Sequence, residues 1–146
     1  MKRALLVAVV SLLAALPLSG QEAEYVVIVN AQNPVTQMKR DQASALFMTR
    51  GAKWSHGPSG AAVDQSMTSK VRQAFSREVL GQPAEGVQNY WRKRMLETRE
   101  FPPPVKASDA EVIAAVAKDA GGIGYVAAAV ELPPGVKAVK IADPIR

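Results

Sequence analysis

Apolar positions fall into two periods along this chain: short β-branched runs, and longer stretches in which they recur every three or four residues. Tyr25-Val26-Val27-Ile28-Val29 is a continuous run, the pattern of a strand buried on both faces in a parallel or mixed sheet. Asn30 to Pro34 reads as a turn, and Met38 to Met48 carries helical spacing through Met38, Gln42, Ala45 and Leu46, with Gly51 closing that helix. A loop from Ala52 to Gly60 returns the chain to a short strand at Ala61-Ala62-Val63. A second helix is expected from about Ser69 to Leu80, with Val71, Ala74, Phe75, Val79 and Leu80 on one face and Gly81 as its stop.

Pro83-Ala84-Glu85 opens a third helix, which carries Val87, Tyr90, Trp91, Arg94 and Met95 and decays before Phe101-Pro102-Pro103-Pro104. Ser108 and Glu111 form a capping box for a fourth, Val112 to Ala117. Gly121-Gly122 ends that helix; Ile123 to Val126 and Val136 to Ile141 read as strands. Strands alternating with about four helices imply an α/β layering around a mixed sheet.

The first twenty residues do not belong to this pattern. Met1-Lys2-Arg3 is basic, Ala4 to Leu16 is apolar apart from Ser11, and Pro17-Leu18-Ser19-Gly20 breaks the helix and ends in small residues. That is the form of a secretory signal peptide, residues 1–20, with cleavage near Gly20 and export to a periplasm as its consequence. The apolar run is shorter than the roughly 20 residues that span a bilayer, so stable membrane insertion after cleavage is not expected. Residues 21–146 then form one domain, long enough to bury a core without staples. The chain contains no cysteine, which removes disulfides, thiolate metal ligands and lipoprotein attachment.

Charge changes the picture little. Of 146 residues, 18 are Lys or Arg and 13 are Asp or Glu; without Lys2 and Arg3 the net charge is +3. The basic residues at Lys39-Arg40, Lys70 to Arg77 and Arg92-Lys93-Arg94 have acids nearby, which describes solvated helix faces rather than a nucleic-acid surface.

The inventory for catalysis is thin. His56 is the one histidine and lies in a Gly- and Pro-rich loop without a metal-ligand partner at motif spacing. No GxSxG elbow, GxxxxGK[ST] loop or GxGxxG turn occurs, so neither an enzyme nor a cofactor is implied. Trp54, Tyr90 and Trp91 could line a groove, although Tyr90 and Trp91 sit on a helix with an apolar face and read better as core. The glycines around Tyr125 suit either close approach of a ligand to the backbone or a tight helix-to-strand turn.

The segment from Ala61 to Phe75 holds the chemistry that remains. A short strand feeds Gln65-Ser66-Met67-Thr68-Ser69, and the helix that follows carries Lys70 and Arg72. Open backbone N–H groups, hydroxyls and cations around one helix start make an anion site. Ser and Thr are equally the ordinary caps of helices that bind nothing, and the residues alone leave both readings standing.

Several segments together resemble the substrate-binding proteins of phosphate ABC transporters, in particular short members the size of a single lobe. They are Val27-Ile28-Val29-Asn30 with Asn33-Pro34, Leu46-Phe47 with Gly51 and Lys53-Trp54, Val63-Asp64-Gln65-Ser66 with Arg72-Gln73-Ala74-Phe75, Tyr90-Trp91, and Gly122-Ile123-Gly124-Tyr125-Val126. The resemblance implies a single periplasmic-binding-protein-like lobe that binds phosphate or a similar oxyanion outside the inner membrane, with Gln65, Ser66, Thr68, Ser69 and Arg72 as its ligands and an ABC permease or a second envelope protein as partner. It also marks departures: Gln65 and Met67 stand where the family pattern places Arg and Asp, and Asn30 to Val35 replaces a glycine- and hydroxyl-rich loop. A lobe that kept this fold as an envelope interaction module without solute binding is the alternative the same departures imply.

Overall fold

The computed structural model describes residues 24–145; the expected signal peptide lies outside them. Strand β1 (Tyr25–Asn30) forms where the β-branched run predicts it, and two longer strands flank it, β6 (Gly122–Ala127) and β7 (Val136–Ile141). Both pair antiparallel to β1, with Tyr25 opposite Ala127 on one side and Val27 opposite Val139 on the other. Two short strands complete the sheet, each parallel to its neighbour: β2 (Gln37–Met38) on β7 and β3 (Ala61–Ala62) on β6. The order is β2-β7-β1-β6-β3, a mixed sheet. A separate parallel pair joins β4 (Asp64–Gln65) to β5 (Val105–Lys106).

Among the described residues, four α-helices cover the sheet: α1 (Arg40–Met48), α2 (Lys70–Phe75), α3 (Ala84–Thr98) and α4 (Asp109–Lys118). The period-2 alternation of β1 divides the core between its two faces. Val27 and Val29 enter a cluster with Phe47, Phe75, Val79 and Trp91, from α1, α2 and α3 and the turns around them. Ile28 packs on the opposite face with Val112 and Val116 of α4. Although aromatic residues make up only 5% of the chain, they concentrate beneath α2. Phe75 stacks on Tyr125 with ring centroids 4.0 Å apart, meets Tyr25 edge-on at 5.6 Å and Phe47 at 4.8 Å. Each such pair adds about 0.5–1.5 kcal/mol beyond burial.

Local signals explain the helix ends. Ser69 caps α2, its hydroxyl accepting the Arg72 N–H at 3.3 Å. The helix then widens into a π-helical turn, Ser76–Leu80, and stops at Gly81, whose φ of 75° is one glycine adopts freely. Ser108 caps α4 by accepting the Glu111 N–H at 3.2 Å, while the Glu111 carboxylate reaches one residue further back, to the Ala107 N–H at 2.8 Å.

The structure corrects the expected first helix. Met38 belongs to β2, not α1: Val35-Thr36-Gln37-Met38 extends along the edge of β7, where the Lys140 backbone N–H donates to the Thr36 carbonyl at 3.1 Å. The helix begins only at Arg40, after the Gln42 side chain has taken the Lys39 N–H at 3.0 Å. The proline-rich segment after α3 leads into a strand, β5, where the Asp64 backbone N–H donates to the Pro104 carbonyl at 2.9 Å and draws the two segments together.

Candidate functional site at the start of helix α2

The chain leaves β3 at Ala62, passes through β4 and reaches α2 by way of Ser66-Met67-Thr68-Ser69, so the expected strand, hydroxyl turn and helix occur in that order. The helix geometry leaves the N–H groups of Lys70 and Val71 without intrahelical acceptors. Thr68 and Lys70 are exposed, and Ser66 is half-buried. The hydroxyls of Ser66 and Thr68 lie 3.1 Å apart, and Gln73 holds the turn by donating its side-chain amide to the Met67 carbonyl at 2.9 Å.

The five residues singled out in the sequence divide into two groups. Ser66 and Thr68 present their oxygens at the surface of the turn. Gln65, Ser69 and Arg72 face inward and bond to the protein itself, Arg72 through its two terminal nitrogens. The Gln65 amide donates to the Tyr125 carbonyl at 2.8 Å and to Asp109 at 2.9 Å, and its side-chain oxygen accepts the Ser69 hydroxyl at 2.9 Å. Arg72, 5% exposed, donates from Nη1 to the Gln65 carbonyl at 2.6 Å and ion-pairs through Nη2 with Asp64 at 3.2 Å.

Three members of this network, Asp64, Asp109 and Tyr125, were not among the residues expected at the site. Tyr125 donates its hydroxyl to the Asp64 carboxylate and accepts the Gln65 N–H at 3.2 Å. Burial, then the neighbouring Asp64 charge, push the Tyr125 hydroxyl well above the usual phenol range. Asp109, at the first turn of α4, joins that helix to the same cluster through Gln65. The sequence held part of a signal for Asp64: it follows the apolar run Ala61 to Val63, where an acid that becomes buried requires a cation or donor, and Arg72 lies one β–α turn downstream.

The remaining candidates fall elsewhere. Trp91 is buried in the core, and Tyr90 donates its hydroxyl to the Met48 carbonyl at 2.7 Å. Trp54 is buried, with Nε1 donating to the Gly121 carbonyl at 2.9 Å. His56 is exposed, its ring 5.8 Å from that of Trp54. The glycines before Tyr125 serve packing: a Cβ on Gly121 would stand 1.9 Å from the Ser59 carbonyl oxygen, and one on Gly124 would stand 2.7 Å from Val112 Cγ1. Among the described residues no helix is long and apolar enough to cross a membrane, and no three His, Asp or Glu side chains are grouped to hold a metal.

An ABC-type phosphate transport receptor from Vibrio cholerae has this fold over 84% of the chain, with a TM-score of 0.60 and 20% identity. The chain has a periplasmic-binding-protein-like fold. A substrate-binding protein assigned to phosphate ABC transport from Clostridium perfringens, solved with bound phosphate, matches over 81% at TM-score 0.62 and 20% identity. PstS from Borrelia burgdorferi matches over 82% at 0.60 and 13%. The match takes in 48%, 44% and 47% of those three chains, so this chain spans about half the length of the receptors it resembles. No protein-family model matches the sequence, and no curated protein matches it either.

Proposed function

We propose that the chain is an exported, non-enzymatic solute-binding protein that holds phosphate or a similar small oxyanion at the start of α2. The observation that carries this reading is the arrangement of the turn: the Ser66 and Thr68 hydroxyls stand together beside the open N–H groups of Lys70 and Val71. Hydroxyl and N–H donors stabilise an oxyanion by charge-assisted hydrogen bonds, and the positive end of the helix dipole adds to them. Lys70 supplies an exposed cation at the same point. Gln65, Ser69 and Arg72 position the turn from beneath, and Asp64 neutralises the buried guanidinium. Fold similarity to a receptor solved with bound phosphate supports the solute class. The basic and apolar leader of residues 1–20 supports a periplasmic location, and the likeness to ABC receptors makes a permease the natural partner.

One observation favours a second reading, an envelope interaction module that has lost solute binding. The polar groups of Gln65 and Ser69, and both terminal nitrogens of Arg72, are already satisfied within the protein. Calorimetric titration with phosphate and with sulfate separates the two. Saturable heat with a thermal shift supports oxyanion capture; no heat and no shift at millimolar ligand leaves the interaction module.

A further inference from the structure

A cleft lies on the flank of the domain, between α1 and the Ala52–Gly60 loop, and shares no residue with the α2 start. It is a cleft of about 310 Å³, at the lower end of the roughly 300–1,000 Å³ typical of small-molecule sites. Met38, Leu46 and Trp54, all buried, give it an apolar floor, and Gln37, Gln42 and Lys53 add polar groups. An apolar floor with a few polar groups is the composition of a ligand site rather than of a packing defect.

The wall that carries Trp54 is fixed in advance. Lys53 and Ser59 form an antiparallel bridge, the Trp54 N–H donates to the Pro58 carbonyl at 2.9 Å, and the Gly60 N–H donates to the Ala52 carbonyl at 2.8 Å. The indole is anchored separately, through Gly121. The loop is thus a hydrogen-bonded hairpin whose indole holds one orientation, so little ordering entropy is lost when a ligand enters.

Among the described residues, Lys53 is the one ionisable side chain lining the cleft. Its four-carbon stem can lie along apolar surface while the ammonium reaches a partner at the mouth. We propose that this cleft binds a small organic anion with an apolar body, an aromatic or aliphatic carboxylate. The body lies over Trp54, Met38 and Leu46, and the carboxylate pairs with the Lys53 ammonium. Inorganic phosphate, which has no apolar part, does not use this floor.

The test is a titration of the isotope-labelled full chain with phenylbutyrate, followed by NMR. Saturable shifts are expected at the Trp54 indole N–H and at the Lys53 and Ala45 amides. Ala45 lines the cleft from an exposed position on α1, so Ala45→Trp fills it without disturbing the core and abolishes those shifts. Lys53→Gln weakens phenylbutyrate about tenfold, as loss of a charge-assisted contact does, and leaves the uncharged phenylbutanamide unaffected. Unmoved Trp54 and Lys53 signals, or equal binding to wild type and Ala45→Trp, overturn the cleft. Equal loss of acid and amide in Lys53→Gln overturns the assignment of an anion.

Discussion

Arg72 turns back from the first turn of α2 to pair with Asp64 of β4, Nη2 to Oδ2 at 3.2 Å, with both side chains more than nine-tenths buried. Asp64 also accepts the Tyr125 hydroxyl and the Gln65 N–H, so one carboxylate ties β4, β6 and α2 together. Removing one partner strands the other charge away from water. Asp64→Ala is therefore expected to destabilise the domain by about 3–5 kcal/mol, measured by urea unfolding. Replacing both with apolar residues, Asp64→Leu with Arg72→Met, should recover much of that loss because no charge is left buried. A double variant less stable than Asp64→Ala would show that the pair contributes more than mutual neutralisation.

The hydroxyls of the turn separate binding from folding. Ser66→Ala with Thr68→Ala removes two surface oxygens that support no core contact, and stability should change by less than about 1 kcal/mol. Phosphate affinity, read by calorimetry, should fall at least tenfold, the effect of losing roughly 1.4 kcal/mol of charge-assisted bonding. Ser69→Ala should do the reverse in part, costing about 1 kcal/mol of stability as the cap of α2 is lost. Unchanged phosphate affinity in the Ser66, Thr68 pair would remove the turn from the binding site.

How far these features could be read in the sequence depends on how local they are. The β-branched run at β1, the Ser69 cap with its Gly81 stop, and the Ser108 cap are decided by neighbouring residues, and each appears where the pattern puts it. Strands β2 and β5, two residues each, exist because an edge is there to receive them, and their own residues carry no such signal. The same holds at the site. The turn from Ser66 to Ser69 was legible, but what occupies Gln65 is Tyr125, 60 positions away, and Asp109, 44 positions away. Arg72 read as a free cation although an acid, Asp64, follows the apolar run Ala61 to Val63, because only the fold shows Asp64 buried against the guanidinium.

Alkaline pH should weaken the fold through two tyrosines. Burial, followed by the Asp64 charge for Tyr125 and by the hydrogen bond to Glu78 for Tyr25, holds both hydroxyls protonated in the folded state far above the ordinary value of 10.0. A raised folded-state pKa gives stability that is complete below the unfolded value and lost as pH climbs past it. Stability is thus flat with respect to these groups well below pH 10 and falls above it, toward a limiting slope of about 1.4 kcal/mol per pH unit for Tyr125 and a shallower one for the less buried Tyr25. Urea midpoints taken across pH 9 to 11, with absorbance reporting phenolate formation, follow the effect. Tyr25→Phe should reduce the slope, and an unchanged slope in that variant would assign the alkaline loss elsewhere.

The turn into β6 offers a graded test of close packing. At Gly121 an added methyl carbon would lie 1.9 Å from the Ser59 carbonyl oxygen, a backbone atom that the adjoining strand holds in place: the Ala61 N–H donates to the Gly121 carbonyl at 2.9 Å. The same carbonyl accepts the Trp54 indole, so any shift of Gly121 also moves Trp54. At Gly124 the obstacles are Val112 Cγ1 at 2.7 Å and Val116 Cγ2 at 3.2 Å, side-chain methyl groups that α4 can displace slightly. Gly121→Ala should therefore be the more damaging, at the upper end of the roughly 1–3 kcal/mol of an overpacked site or beyond it, and Gly124→Ala the milder. Thermal unfolding of the two variants gives the order directly. Because Trp54 forms the floor of the flank cleft, Gly121→Ala should also shift its indole N–H resonance, whereas Gly124→Ala, which packs on the opposite face against α4, should leave that resonance in place.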